Sequence, residues 1–333
     1  MFTDDVKERI HGMKEAVIRV PDNKIPHFMD GQEERRMSDF CVFILTYGRP
    51  DKIKTYKRLF REGGQFNQDY YFICSDDDKQ LDEYIRQFGD RVLVFNKKKM
   101  IPHMDKGDNF DKYGVILYAR NIAFTFANLL GYRYFVELDD DYDEFRQRML
   151  DYDGGKLKSL QTIDLDRMFR VHLDFLKNTP CKTITMSQMG DYIGGMGNAN
   201  VLRGYQRKVM NSFFCDIEDP FLFDGTINED VNYYVQSGRI GILNFNLFGF
   251  ALNQGTTQQT SGGMTEQYLD GGTYLKSFYS VMYAPSCVKV GTISHGDYER
   301  MHHRVNSELA YAKIIDEKYK HNTFLELQPN DDW

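Results

Sequence analysis

Read as apolar and polar positions, the chain opens with about 38 mostly polar residues holding one short helix pattern and breaks at Pro21 and Pro26. The first continuous apolar run follows at residues 39–47, DFCVFILTY, and ends in Gly48-Arg49-Pro50 before a helical stretch at 53–61. Gly63-Gly64 stops that helix. Residues 70–74, YYFIC, form a second buried run that ends in Ser75-Asp76-Asp77-Asp78, with a helix pattern at 79–88 and a short third run at 92–95. Runs without polar alternation, separated by helical periods, predict strands buried on both faces of a parallel sheet joined by right-handed crossovers.

Residues 96–112 are charged and aperiodic, which predicts a loop longer than ordinary connections. Residues 113–130 are apolar on all sides and predict a buried helix, with Gly131 just past its end. Arg120 and Asn121 stand out in it. A buried arginine needs an anion, here Asp139/Asp141 or a bound phosphate, unless it snorkels at the helix rim.

The next run, residues 132–142 (YRYFVELDDDY), ends in three consecutive aspartates. Carboxylates at the carboxyl end of a buried parallel strand lie where open α/β sheets bind ligands. Continued strand alternation would turn Asp139 and Asp141 to one side, toward one hard cation, and Asp140 to the other. The spelling alone is uninformative, since it recurs at Asp76/Asp78, Asp141/Asp143, Asp151/Asp153 and Asp164/Asp166. The preceding buried strand is what separates Asp139/Asp141 from the rest.

Beyond this point residues 151–159 are expected to turn, and 162–178 to form an amphipathic helix with His172 on its apolar stripe as a core histidine. A strand is expected at 183–186, followed by a Gly-rich loop at 189–200 where backbone approaches a substrate closely or simply flexes. Glu229-Asp230 open a predicted helix, where capping competes with catalysis as their role. Residues 240–252 are strand-rich and 253–272 a polar loop. Last strands are expected at 279–283 and 288–294, the second leading into His295, and a closing helix at 306–320.

Composition narrows the class. With 333 residues and 41% hydrophobic content the chain can bury a substantial core. No apolar stretch is long enough for a membrane span and the N-terminus is too charged for a signal peptide, so a soluble, cytoplasmic protein is expected. Cys41, Cys74, Cys181, Cys215 and Cys287 are scattered and several lie in apolar runs, as reduced core thiols do. A net charge of −7 argues against a generic basic nucleic-acid coat, while leaving room for the mixed cationic and aromatic patches at 203–208 and 298–304.

In order, Thr46-Tyr47-Gly48-Arg49-Pro50, Asp76, Ala119-Arg120-Asn121, Asp139-Asp140-Asp141, Glu229-Asp230 and His295 resemble the GT-A class of nucleotide-sugar glycosyltransferases. With residues 188–195, QMGDYIGG, they look most like the phage TET-associated glycosyltransferases, thought to place sugars on 5-hydroxymethylpyrimidines in DNA. The resemblance implies an α/β fold: a Rossmann-like mixed, mainly parallel sheet flanked by helices, with acceptor-side C-terminal elaborations. It implies an N-terminal extension (1–38), a catalytic domain (39–304) divided into a donor half (39–145) and an acceptor half (146–304), and a C-terminal helix and tail (305–333). Thr46, Arg49 and Asp76 would hold the nucleoside of a UDP-sugar, Arg120 would lie near the diphosphate, and Asp140 would be structural or touch the donor sugar. Asp139 and Asp141 would bind Mn or Mg, with His295 preferred over His302 and His303 as third ligand. Asp230 or Glu229 would serve as the carboxylate at the acceptor hydroxyl. The implied acceptor is 5-hydroxymethylcytosine in phage DNA, within the infected host cytoplasm. A polysaccharide or protein acceptor and an inactive nucleotide-binding scaffold are the alternatives.

Overall fold

The computed structural model describes residues 3–107, 116–151, 157–202, 207–254, 275–295 and 298–312, without the side chains of residues 3, 150, 293–295 and 298–300. In chain order its elements are α1 (Thr3–Gly12), β1 (Val17–Arg19), β2 (Phe40–Leu45), α2 (Lys54–Leu59), β3 (Asp69–Ser75), α3 (Leu81–Phe88), β4 (Val92–Phe95), α4 (Lys97–Met100) and α5 (Leu117–Leu130). Then come β5 (Tyr134–Asp139), β6 (Tyr142–Leu150), β7 (Leu157–Gln161), α6 (Leu165–Lys177), β8 (Thr183–Gln188), α7 (Ala199–Leu202), β9 (Phe213–Asp216), α8 (Glu229–Arg239) and β10 (Asn244–Gln254). Helical residues 275–283 (α9) precede β11 (Val288–His295), β12 (Tyr298–Val305) and α10 (Ser307–Ala310).

Among the described residues one ten-stranded sheet runs β1-β4-β3-β2-β5-β9-β8-β10-β6-β7, and β11 and β12 form a separate antiparallel pair. Strands β4, β3, β2 and β5 pair in parallel, as the early apolar runs predict, and β8 pairs parallel to β10. Strand β9 enters antiparallel beside β5 and makes the sheet mixed. This is the expected arrangement, a mixed, largely parallel central sheet flanked by helices.

The sheet is buried on both faces because its central strands alternate between two cores. Cys41, Phe43 and Leu45 of β2 pack with α1, α5 and α8, whereas Phe40, Val42 and Ile44 pack with Tyr84 of α3 and with α6. The N-terminal segment adds an antiparallel edge strand, β1 on β4, and is pinned by an ion pair between Arg36 and the buried Asp69. All five cysteines are free and buried. Gly131 ends α5 in the left-handed conformation at φ 75°, as its place after the apolar run predicts.

Three expectations fail, wholly or in part. Within the loop expected at 96–112, Lys97–Met100 form the short helix α4, capped by Asn96. Residues 279–283 form part of helix α9, not a strand. Short apolar runs are ambiguous between the two periods, and here Tyr279, Ser280 and Ala284 share one buried face. Residues 142–150, whose polar alternation gives little apolar signal, form β6, which pairs with both β10 and β7. The expected turn at 151–159 is accordingly shorter, β7 beginning at Leu157. The loop at 253–272 lies largely outside the described residues, as does most of the expected closing helix at 306–320, of which α10 is described.

Candidate active site

Strand β5 ends at Asp139, beside Leu45 of β2, so the acidic run emerges at the carboxyl edge of the parallel strands next to Thr46. Asp140 and Asp141 form the turn into β6, and strand alternation therefore does not set their directions. Asp140 turns inward, 3% exposed, accepting a hydrogen bond from Thr46 Oγ1 at 2.7 Å and pairing with Arg49 Nε at 2.9 Å. Burial holds its pKa up at about 6, against the pull of Arg49. Thr46 and Arg49 thus meet Asp140 as one group. Tyr84 and Asp78, which sequence reasoning missed, support that group: the Tyr84 hydroxyl lies 2.7 Å from Thr46 Oγ1 and accepts from Arg49 N at 3.0 Å. Asp78 Oδ2 accepts from Gly48 N at 2.7 Å. Asp78 was masked by its Asp-rich surroundings and Tyr84 by its place on an ordinary apolar helix face. Asp76 stands exposed at the end of β3, accepting from Asn96 Nδ2 at 2.6 Å.

Helix α5 buries Arg120 against three carboxylates. Its Nη2 lies 2.9 Å from Asp139 Oδ1, its Nη1 3.4 Å from Glu137 Oε2 and its Nε 3.1 Å from Glu229 Oε1. Of the two anion partners expected for it, Asp139 is present, and the rim position is excluded. Neighbouring Asn121 exchanges two hydrogen bonds with the Phe223 backbone, of 2.8 and 3.0 Å, and so fixes the segment that leads into α8. The acidic turn and the Glu229-Asp230 helix start are therefore bridged by one guanidinium. Glu137 was hidden in the apolar run of β5. Burial raises its pKa to about 8, and its Oε1 is buried without a partner.

Three carboxylates around one cation leave the cluster short of positive charge. Burial lifts Asp139 to about 7 despite Arg120, with Asp141, Glu229 and Asp140 adding to the rise. Burial and Asp230 likewise raise Glu229. Asp141 accepts from Gln254 Nε2, at the end of β10, at 2.8 Å. Asp139 and Asp141 are hard oxygen donors in a charge-deficient place, which suits Mg or Mn held by two carboxylates with phosphates completing the shell. Among the described residues no three His, Cys, Asp or Glu side chains are grouped to hold a metal by themselves. His295 closes β11 opposite Tyr298, but its side chain lies outside the described residues.

Asp230 is half-buried in the first turn of α8, and its Oδ1 accepts from Val231 N at 2.7 Å. The Gly-rich loop after β8 is fastened more firmly than its composition suggests. Arg148 of β6, 7% exposed, donates to Ser187 Oγ at 2.6 Å and to the Gln188 and Met189 carbonyls at 2.7 and 3.1 Å. Asp191 accepts from Gln188 N at 2.9 Å and pairs with Arg207. Buried Tyr192 adopts φ 60°, a left-handed conformation rare for a bulky residue. The patch at 203–208 lies outside the described residues except for Arg207 and Lys208, whereas that at 298–304 is part of β12, with only the side chains of 298–300 outside the described residues.

Twenty-one chains of known structure match this one. Among them are complexes of glucosyl-3-phosphoglycerate synthase from Mycobacterium tuberculosis. The complex with Mg2+ and UDP is 12% identical over 92% of each chain, with a TM-score of 0.39. The complex with Mn2+, UDP-glucose and phosphoglyceric acid is 12% identical over 84% of this chain and 96% of that one, with a TM-score of 0.38. Likeness at that level is remote. No curated protein matches the chain. The profile of the TET-Associated Glycosyltransferase family matches residues 40–263, about two thirds of the sequence, from β2 through β10. With the acidic strand end, the buried arginine bridge and the Glu-Asp helix start all inside that span, the chain belongs to the TET-associated glycosyltransferase family and is a glycosyltransferase.

Proposed function

We propose that the protein transfers a sugar from a UDP-sugar to the hydroxymethyl oxygen of 5-hydroxymethylcytosine in DNA. The observation that supports this reading is the match of residues 40–263 to the TET-associated glycosyltransferase family, and the Arg120 bridge between Asp139 and Glu229, inside that span, is consistent with one cluster serving donor and acceptor. Thr46, Arg49 and Asp140, already linked to one another, hold the nucleoside side of the donor, with Asp76 at the rim. Asp139 and Asp141 would hold a divalent cation, with His295 as third donor, and the cation would supply positive charge for the leaving diphosphate.

Asp230 faces the acceptor. It accepts the proton of the hydroxymethyl group as the oxygen bonds to the anomeric carbon, while the bond from that carbon to the diphosphate oxygen breaks and UDP departs. Glu229 does not compete for this role, because its carboxylate is engaged by Arg120. Arg120 serves as a positioning residue: it sets the distance between the acidic turn and α8. The C5 substituent of cytosine faces the major groove, so the hydroxyl is reachable either in the duplex or on an everted base. Affinity for DNA then comes from local cations rather than from the net charge of −7.

The test is incubation of hydroxymethylcytosine DNA with a panel of UDP-sugars and Mn2+, read by nucleoside mass spectrometry. A mass gain of one sugar on the modified nucleoside is expected with at least one donor. No gain with any donor, together with transfer to a glycan or protein, would replace DNA by that acceptor.

A further inference from the structure

Beside Asp230 lies a group of cations that the transfer reaction as described does not use. His303 of β12 is 7% exposed, and its Nδ1 is buried without a hydrogen-bond partner. Its ring stacks on His302 at a centroid separation of 4.2 Å. Burial above all, and then His302, Lys208 and Lys276 acting on it electrostatically in the same direction, press its pKa down to about 3. Lys208 is half-buried, and burial lowers its pKa although Asp230 and Asp191 oppose the shift.

The surrounding elements are fastened to the start of α8. Asn228, two residues before Asp230, donates from Nδ2 to the Lys276 carbonyl at 2.7 Å and to Ser280 Oγ at 3.2 Å, tying α9 to that helix. Asn246 Nδ2 of β10 donates to the Lys208 carbonyl at 3.3 Å. Gly238 of α8 lies against the Ala310 carbonyl of α10, so close that a side chain there would collide with it, which holds the end of β12 against the same helix. Three separate parts of the chain thus converge on one wall next to the acceptor-side carboxylate.

A buried imidazole nitrogen without a hydrogen-bond partner is costly unless something completes it. With Lys208 and Lys276 near it among the described residues, an anion able to accept several hydrogen bonds would complete the ring and the lysines together. We propose that Lys208 and His303, flanked by Lys276 and His302, form a phosphate-binding subsite adjoining Asp230. This deepens the proposed transfer reaction and rests on Asp230 being its acceptor-side base. The phosphate is either the donor's diphosphate or a backbone phosphate of the DNA acceptor. Both present the same tetrahedral oxygens to a lysine and an imidazole.

The experiment follows the imidazole 15N resonances of His303 in the full-length protein, assigned by their loss in His303→Gln, while pyrophosphate is titrated in metal-free buffer. A saturable movement toward the imidazolium pattern is expected, since a bound anion favours the protonated ring. In Lys208→Met the apparent affinity should fall about tenfold or more, and in Lys208→Arg by less, as charge-assisted hydrogen bonds weigh in binding. No saturable movement, or equal affinity in Lys208→Met and the parent, overturns the subsite. The same readout with UDP and with an unmodified DNA oligonucleotide separates the sources: movement with UDP assigns the donor diphosphate, and movement with the oligonucleotide assigns the acceptor backbone. Transfer to hydroxymethylcytosine DNA with a silent His303 would leave the reaction standing and remove the subsite. A responsive His303 without such transfer would do the reverse.

Discussion

At the residue scale the decisive group is Arg120. It makes three ion pairs in a buried setting, and removing one member of such a network exposes the others as uncompensated charge. Arg120→Met should therefore cost about 3–5 kcal/mol in urea unfolding, and transfer should fall with it because α8 loses its register to the acidic turn. Asp230→Asn makes the contrasting case. Its carboxylate lies in the first turn of α8, half-buried, so the fold should persist while turnover falls about 100-fold or more, the usual weight of a general base. If unfolding midpoint and turnover dropped together, capping of α8 would be the role of Asp230. His172 supplies a third test. Its Nδ1 lies 2.7 Å from the Met168 carbonyl, Nε2 has no partner, and burial holds its pKa near 4 against an ordinary 6.5. Unfolding then takes up a proton between those values. The stability present above pH 6.5 is lost as pH falls toward 4, amounting to about 3 kcal/mol. His172→Leu should narrow the gap in stability between pH 7 and pH 4, measured by denaturant midpoints at each pH.

At the element scale the Gly-rich loop after β8 is held by one cation on a neighbouring strand. Arg148 bonds to carbonyls and a hydroxyl, and leaving those carbonyls buried without a donor costs about 1–3 kcal/mol each way such a group is orphaned. Arg148→Met should speed amide hydrogen exchange in residues 188–192 while β2, β3 and β4 keep their protection. Loss of protection throughout the sheet would instead show that Arg148 supports the whole fold. Residues 189–200 read as a loop from composition alone, and that reading holds up to Gly194, before a 3-10 turn at Gly195–Gly197 and the start of α7 at Ala199. The clamp did not show, because Arg148 lies 40 residues earlier in a strand with little apolar signal.

At the scale of the whole molecule the excess of carboxylates around Arg120 should couple cation binding to stability. With Mn2+ and UDP the thermal midpoint should rise by mass action, and EDTA should reverse both that rise and sugar transfer. Transfer that persists unchanged in EDTA would remove the cation from the reaction.

The order of elements from β2 to β5 and the position of the acidic strand end were determined by local sequence, where continuous apolar runs, helical periods and glycine stops declare themselves, whereas only the fold decided that Arg120 is buried against carboxylates and not at the helix rim. Tertiary structure alone decided which groups meet. Glu137 hides in an apolar run, Tyr84 on an ordinary helix face, and Lys208 and His303 lie 95 positions apart. Their partners are chosen by strand order and helix packing, which depend on contacts between distant segments. The same holds for the direction of Asp140 and Asp141. A turn, not a strand, carries them, and it is the Thr46–Arg49 loop on the adjacent strand that draws Asp140 inward.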